Sequence, residues 1–151
     1  MPQSGTGAEM SAQARPAPGA EVPPEPVLQG TRIMVVEHDQ ETRETLVLTL
    51  QEWGAAAIAF GSVGDAVSAL DDVAPDAVMV AIRMPGDPYR FIAAMRRRDG
   101  VRRRHTPLLA IVGSALDRRR AASAGIHLHM ARPLDPARLR LALVNLVHAG
   151  A

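Results

Sequence analysis

The sequence predicts an α/β fold, a five-stranded parallel sheet with helices on both faces, preceded by a segment that does not pack. Three observations predict it. From Thr31 onward, short apolar runs alternate five times with amphipathic stretches. The runs are continuous rather than alternating in polarity, as expected of strands buried on both faces. Ser, Asp, Gly and Pro punctuate the junctions where helices should start and strands should turn. A length of 151 residues fits one domain, and 47% apolar residues suffice for a core.

Residues 1–30 differ from the rest. They hold six of the twelve prolines, almost no branched aliphatics, and four charged groups, Glu9, Arg15, Glu21 and Glu25. Such a segment buries too little apolar surface to offset its ordering entropy. A disordered Pro/Ala/Gly-rich tail is expected over 1–30, with polyproline II character around Glu21-Val22-Pro23-Pro24-Glu25-Pro26 and a folded domain over 31–149. The tail reads as a solvated leader or as a tether for a partner.

Within the domain, Arg32-Ile33-Met34-Val35-Val36 is a β-branched run and the first strand. Residues 41–53 form a helix with Leu46, Leu50 and Trp53 on one face, and Gly54 ends it. Residues 55–60 are a weaker second strand. Ser62-Val63-Gly64-Asp65 has the Ser-x-x-acid form of a helix start, and the helix should run through Leu70. The third strand spans 76–80 and the third helix 89–98; the fourth strand spans 107–112. Ser114-Ala115-Leu116-Asp117 repeats the capping form before a helix to about Ala124. The fifth strand is expected at 126–130. Asp135-Pro136 places a cap before a proline at the first helical position, opening a helix with Leu139, Leu143, Leu146 and Val147 in a stripe. Right-handed crossovers leave few topologies for this pattern, of which the flavodoxin-like order 2-1-3-4-5 is the expected one.

Composition narrows the function classes. No apolar run approaches the ~18 residues needed to span a bilayer, and the start lacks a signal-peptide pattern, so a cytoplasmic protein is expected. Without cysteine there are no disulfides and no thiolate zinc sites. A formal charge of +1 does not argue for nucleic acid. All seventeen basic residues are arginine.

In a sheet of this kind the reactive crevice lies beyond the carboxyl ends of the strands. The residues that arrive there carry a resemblance. Val35-Val36-Glu37, Pro75-Asp76, Met84-Pro85-Gly86, Thr106-Pro107-Leu108-Leu109-Ala110, Ala124-Gly125 and Arg132-Pro133-Leu134 frame a domain that resembles the receiver of bacterial response regulators. The resemblance covers nearly the whole of 31–149. It implies a domain of two-component, phosphorelay signalling in which an aspartate at the end of the third strand accepts a phosphoryl group.

The residues that would perform that chemistry are altered. Ala81 stands at the phosphoacceptor position, and a methyl group cannot attack phosphorus. Where the family places adjacent acids that hold Mg²⁺, this chain has Glu37-His38; imidazole and a lost carboxylate make a poor Mg²⁺ cage, so no cofactor is expected. Asp39 reads as the cap of the first helix. The family's Ser/Thr switch corresponds to Val112, its aromatic switch to His129, and its lysine to Arg132, where the resemblance implies a cis bond to Pro133. These positions read as those of a degenerate pseudo-receiver with no catalytic residue and no enzymatic activity. Glu37, His38 and Arg132 remain as pocket remnants, and an ion pair between Glu37 and Arg132, joined by His38, is expected to fill the place of metal and phosphate.

His127 and His129 share one face of the expected fifth strand, but no third ligand stands nearby for a metal, and His105 and His148 read as surface residues. Three arginine clusters, Arg96-Arg97-Arg98, Arg102-Arg103-Arg104 and Arg118-Arg119-Arg120, read as solvated faces or as docking surfaces for an acidic partner. Nucleic acid is disfavoured, because aromatics make up only 3% of the chain. The resemblance implies a partner face formed by the fourth helix, fifth strand and fifth helix, with Arg118, Arg119, His127 and His129 as candidates. The expected partner is a signalling protein such as a histidine kinase or another regulator, or a second copy of the chain, with no membrane association. The expected function is a stand-alone receiver that acts by phosphorylation-independent protein contact. The alternatives are a phosphorelay receiver, or a ligand-controlled one, working through a non-standard site.

Overall fold

The computed structural model describes residues 26–126 and 128–150. Five strands alternate with five helices: β1 (Arg32–Val36), α1 (Gln40–Glu52), β2 (Ala56–Phe60), α2 (Val63–Val73), β3 (Ala77–Ala81), α3 (Pro88–Arg102), β4 (Leu108–Val112), α4 (Ala115–Ser123), β5 (His129–Ala131) and α5 (Pro136–Gly150). All strand pairs are parallel, in the order β2-β1-β3-β4-β5. This is the doubly wound, flavodoxin-like sheet that the alternation predicts.

Alternating side chains of the central strands enter two cores. Met34, Val36, Val78 and Val80 face α2, α3 and α4, where they meet Leu70, Phe91, Met95 and Ala121. Ile33, Val35, Ala77 and Met79 face α1 and α5, where they meet Leu46, Leu50, Leu139 and Leu143. Burying each large aliphatic contributes about 1.5–3 kcal/mol, so the two layers hold the sheet from both sides.

The helix starts follow the capping chemistry. Asp39 accepts from the Thr42 N–H at 2.9 Å and from its hydroxyl at 2.6 Å. Ser62 and Ser114 each accept from the residue three positions on, both at 3.1 Å. Asp135 accepts from the Arg138 N–H at 3.3 Å.

Several boundaries differ from expectation, among them the end of α2, at Val73 rather than Leu70. α3 runs four residues past Arg98, because Asp99 turns inward to accept from the Thr106 N–H and hydroxyl at 2.9 and 2.7 Å, stitching the helix end to β4. β5 is short and begins at His129 rather than at 126. The packed region also begins before Thr31: Leu28 is 1% exposed and lies in the α1–α5 core, and its N–H donates to the Trp53 carbonyl at 2.8 Å. Gly54 makes room for this turn, since a Cβ there would stand 3.1 Å from the Gln29 backbone. The boundary expected at 31 therefore lies earlier, at or before the turn that holds Leu28; the rest of the expected tail, residues 1–25, lies outside the described residues, as do His127 and Ala151.

Candidate functional site

The carboxyl edge of the sheet brings four of the singled-out positions together. Glu37 follows β1, Ala81 ends β3, Val112 ends β4 and Arg132 follows β5. Glu37 is held by its N–H, which donates to the Phe60 carbonyl at 3.0 Å, and Arg132 by its N–H to the Val112 carbonyl at 3.1 Å. β1 and β5 are separated by β3 and β4, so the crevice between Glu37 and Arg132 passes over Ala81 and Val112, which are 0% and 1% exposed. At about 4.8 Å per strand spacing, only two extended side chains meeting end to end close such a gap.

They do meet. The Arg132 guanidinium donates through Nη2 to Glu37 Oε1. The Glu37 side chain is 2% exposed and that of Arg132 34%. The second carboxylate oxygen, Oε2, accepts from the Asp39 N–H at 3.2 Å. A buried carboxylate is tolerated only when its lone pairs are met, and here a cation and a backbone donor meet them. Neither a large residue at 81 nor a polar one at 112 interrupts the bridge. The Arg132–Pro133 peptide is cis.

His38 takes no part in this pair; it is exposed. Asp39 stays a helix cap, and the two hydrogen bonds from Thr42 hold its carboxyl below the usual value, with smaller contributions from Arg132 and His38. Arg43, on the next helical turn, donates through Nη1 to the carbonyls of Glu37 and His38 at 3.0 and 3.1 Å and fixes the turn after β1.

A second ion pair crosses the edge, and sequence reasoning did not find it. Arg83, two residues beyond Ala81, donates through Nε and Nη2 to the two oxygens of Asp117, both at 3.3 Å. Asp117 also accepts from the Gly113 N–H at 3.2 Å. Burial pushes the Asp117 carboxyl up, but the Gly113 N–H and the Arg83 guanidinium outweigh it and leave the group below its usual value. The pair straps the β3–α3 loop to the start of α4. Its acid was legible only as part of a cap, and its base stands 34 positions away with no local signal. Nearby, burial raises the Tyr89 hydroxyl pKa, with Arg120 opposing and Asp117 and Asp87 reinforcing.

Two hollows flank the edge. One, of about 610 Å³, lies between α1 and the β5–α5 turn and is lined by Thr42, Thr45, Leu46, Arg132, Pro133 and Leu134 among others. The other, of about 200 Å³, brings Arg118 and His129 together with Met130, Asp135 and Arg138 on the face of α4, β5 and α5. Arg119 is exposed beside it. Among the described residues no group of three or more His, Asp or Glu is arranged to hold a metal ion. No helix among them is long and apolar enough to cross a membrane.

No protein-family model matches the chain, and no curated protein matches it. Solved structures do. The receiver domain of a sensor histidine kinase from Pseudomonas aeruginosa PAO1, with a magnesium ion in its active-site cleft, superposes with a TM-score of 0.70 at 24% identity, over 79% of this chain and 98% of that one. The signal receiver domain of a modulated diguanylate cyclase from Desulfovibrio desulfuricans G20 gives 0.68 at 21% identity, over 80% and 95%. A chemotaxis protein of Vibrio cholerae gives 0.68 at 18%, over 77% and 98%. The chain thus has the fold of response-regulator receiver domains.

Proposed function

We propose that this chain is a receiver-type signalling module of the cytoplasm that acts through protein contact and accepts no phosphoryl group. The observation that carries the reading is Ala81, buried at the end of β3 beneath the Glu37–Arg132 pair. A methyl group offers phosphorus no lone pair, and Val112 offers a phosphoryl oxygen no donor. Arg132, which follows β5 at the same edge, is engaged by Glu37.

The donor set does not fit Mg²⁺ either. A hard dication needs several free oxygens in an octahedral shell. Here one Glu37 oxygen takes Arg132, the other takes the Asp39 N–H, and Asp39 is held as a helix cap through Oδ2, which takes both Thr42 donors. Position 81 supplies no oxygen. With no donor set suited to the metal, no acceptor at 81 and no hydroxyl at 112, the module on this reading promotes no phosphoryl transfer, and its signalling state is set by what binds it.

The partner face on this reading is that of α4, β5 and α5, where Arg118, Arg119 and His129 present cationic and hydrogen-bonding groups around the smaller hollow. A histidine kinase or another regulator is the partner class, and a second copy of the chain is the other occupant such a face admits. The test is an amide NMR titration with Mg²⁺ and then with beryllofluoride, a phosphoryl mimic. Resonances of Glu37, Ala81 and Arg132 that hold still at millimolar ligand support the reading. Saturable shifts that spread into β5 overturn it and restore a phosphorelay role through another acid.

A further inference from the structure

Six charged or hydroxyl residues are buried among the described residues (Thr31, Glu37, Arg98, Asp99, Thr106 and Asp117), and Arg98 differs from the rest. Its side chain is 5% exposed. Nε donates to Asp71 at 3.2 Å, while Nη1 and Nη2 have no hydrogen-bond partner. Asp71 gives little compensation, being 79% exposed and shared with Arg102 at 3.8 Å. A guanidinium so placed has lost water without regaining acceptors, which is unfavourable unless something else supplies them.

The surroundings are poor in acceptors and rich in charge. Arg97, Arg102, Arg103 and Arg104 are all exposed around the outer end of α3. Asp99, the one acid of that stretch, is buried and engaged by Thr106 and by Arg96. Val101 stands 84% exposed in the midst of the arginines. The negative end of the helix dipole accounts for a cation or two, not for this density.

We infer that the outer end of α3 is a docking surface for an acidic polypeptide segment, whose carboxylates engage Arg98 and Arg102 while an apolar side chain covers Val101. Charge complementarity carries the choice of occupant. A carboxylate matches the guanidinium fork with two parallel hydrogen bonds, and Arg98, whose Nη1 and Nη2 are buried in the seam in this structure, swings outward to meet it. A nucleic-acid backbone is rigidly spaced and cannot enter the seam between α2 and α3, and its unpaired bases find no aromatic platform here. Exposed Asp71 and Asp72 at the rim repel a continuous polyanion but not a mixed sequence with gaps between its acids. The surface lies at the amino edge of the sheet, remote from the Ala81 crevice, so it stands or falls independently of the function proposed above.

The test is fluorescence anisotropy of the full chain with a labelled peptide alternating glutamate and leucine, against its glutamine counterpart and a short duplex DNA. Saturable binding of the glutamate peptide alone, weakening with salt, is the expected result. Arg98→Met should weaken it roughly tenfold or more while leaving the thermal midpoint unchanged or higher, since a charge-assisted contact is lost on binding and a desolvated charge is removed from the free fold. Arg102→Glu, at an exposed position, should abolish binding without touching the fold. Unchanged peptide affinity in Arg102→Glu, or displacement of the peptide by duplex DNA at lower concentration, overturns the inference; so does a lower midpoint in Arg98→Met with peptide affinity intact.

Discussion

Both edges of the sheet bury carboxylates, but among the described ion pairs only the amino edge buries a guanidinium against an exposed acid. At the carboxyl edge the buried partner is the acid: Glu37 and Asp117 are 2% and 5% exposed, while Arg132 and Arg83 are 34% and 67% exposed. At the amino edge one acid is buried in the same way, Asp99 beneath Arg96 and Thr106, but a base is buried too: Arg98, whose acid, Asp71, is out in solvent. The difference lies in what the backbone can supply. Helices begin at the carboxyl edge, so free N–H groups such as those of Asp39 and Gly113 stand ready for a carboxylate. At the amino edge helices end, and carbonyls serve Arg32, which reaches Val73, and Arg96, which reaches Thr106. Arg98 is set too far into the α2–α3 seam to find one. A buried carboxylate here is finished by the fold; the buried guanidinium is not.

Four substitutions sharpen or break that comparison. Arg132→Met should have the largest effect. It strands Glu37 with a single backbone donor, and the loss should be about 2–3 kcal/mol, below the usual figure for a fully buried pair because Arg132 is partly solvated. Urea denaturation reads it, and adding Glu37→Gln to the same chain should recover part of the loss. An unchanged midpoint would mean that Glu37 is not held by Arg132 at all.

Asp117→Asn comes next, at about 1–2 kcal/mol near neutral pH, through the weakened Arg83 and Gly113 contacts. Its pH dependence has a definite sign. The folded-state pKa of Asp117 lies below the ordinary value of 3.8, so the carboxylate's contribution is present above that value and disappears as pH falls through the folded one. Stability curves of the two proteins should therefore converge in acid; a gap that persists at low pH would sink the assignment.

Arg98→Met should raise stability by up to about 1 kcal/mol or leave it alone, opposite in sign to Arg132→Met. A thermal melt that drops by several degrees would break the comparison outright. Asp71→Asn should matter least, a few tenths of a kcal/mol, because an exposed acid contributes little to a pair. If it destabilised as much as Arg132→Met, the two edges would be equivalent after all.

The fold was legible because both its signals are local. Continuous β-branched runs and capping residues identify strands and helix starts without reference to anything distant, and Asp39, Ser62, Ser114 and Asp135 all cap as their spacing implies. The ends of elements were less legible. α3 outlasts its expected length because Asp99 is secured by Thr106, a contact that forms only when β4 is in place. In the site, Glu37 and Arg132 could be matched because the topology fixes where strands one and five end. Arg83–Asp117 could not, since neither residue carries a pattern that points to the other. His38 was expected at the ion pair because it adjoins Glu37, but alternation after β1 turns it to solvent.

Leu28 has a mechanical consequence. The turn at 26–30 seats Leu28 in the α1–α5 core, where its N–H bonds the end of α1. Leu28 thereby ties the turn at 26–30 to the last turn of α1, so the two come apart together. The opposite end of that helix carries Arg43, which holds the Glu37 turn, so α1 links the Leu28 contact to the crevice.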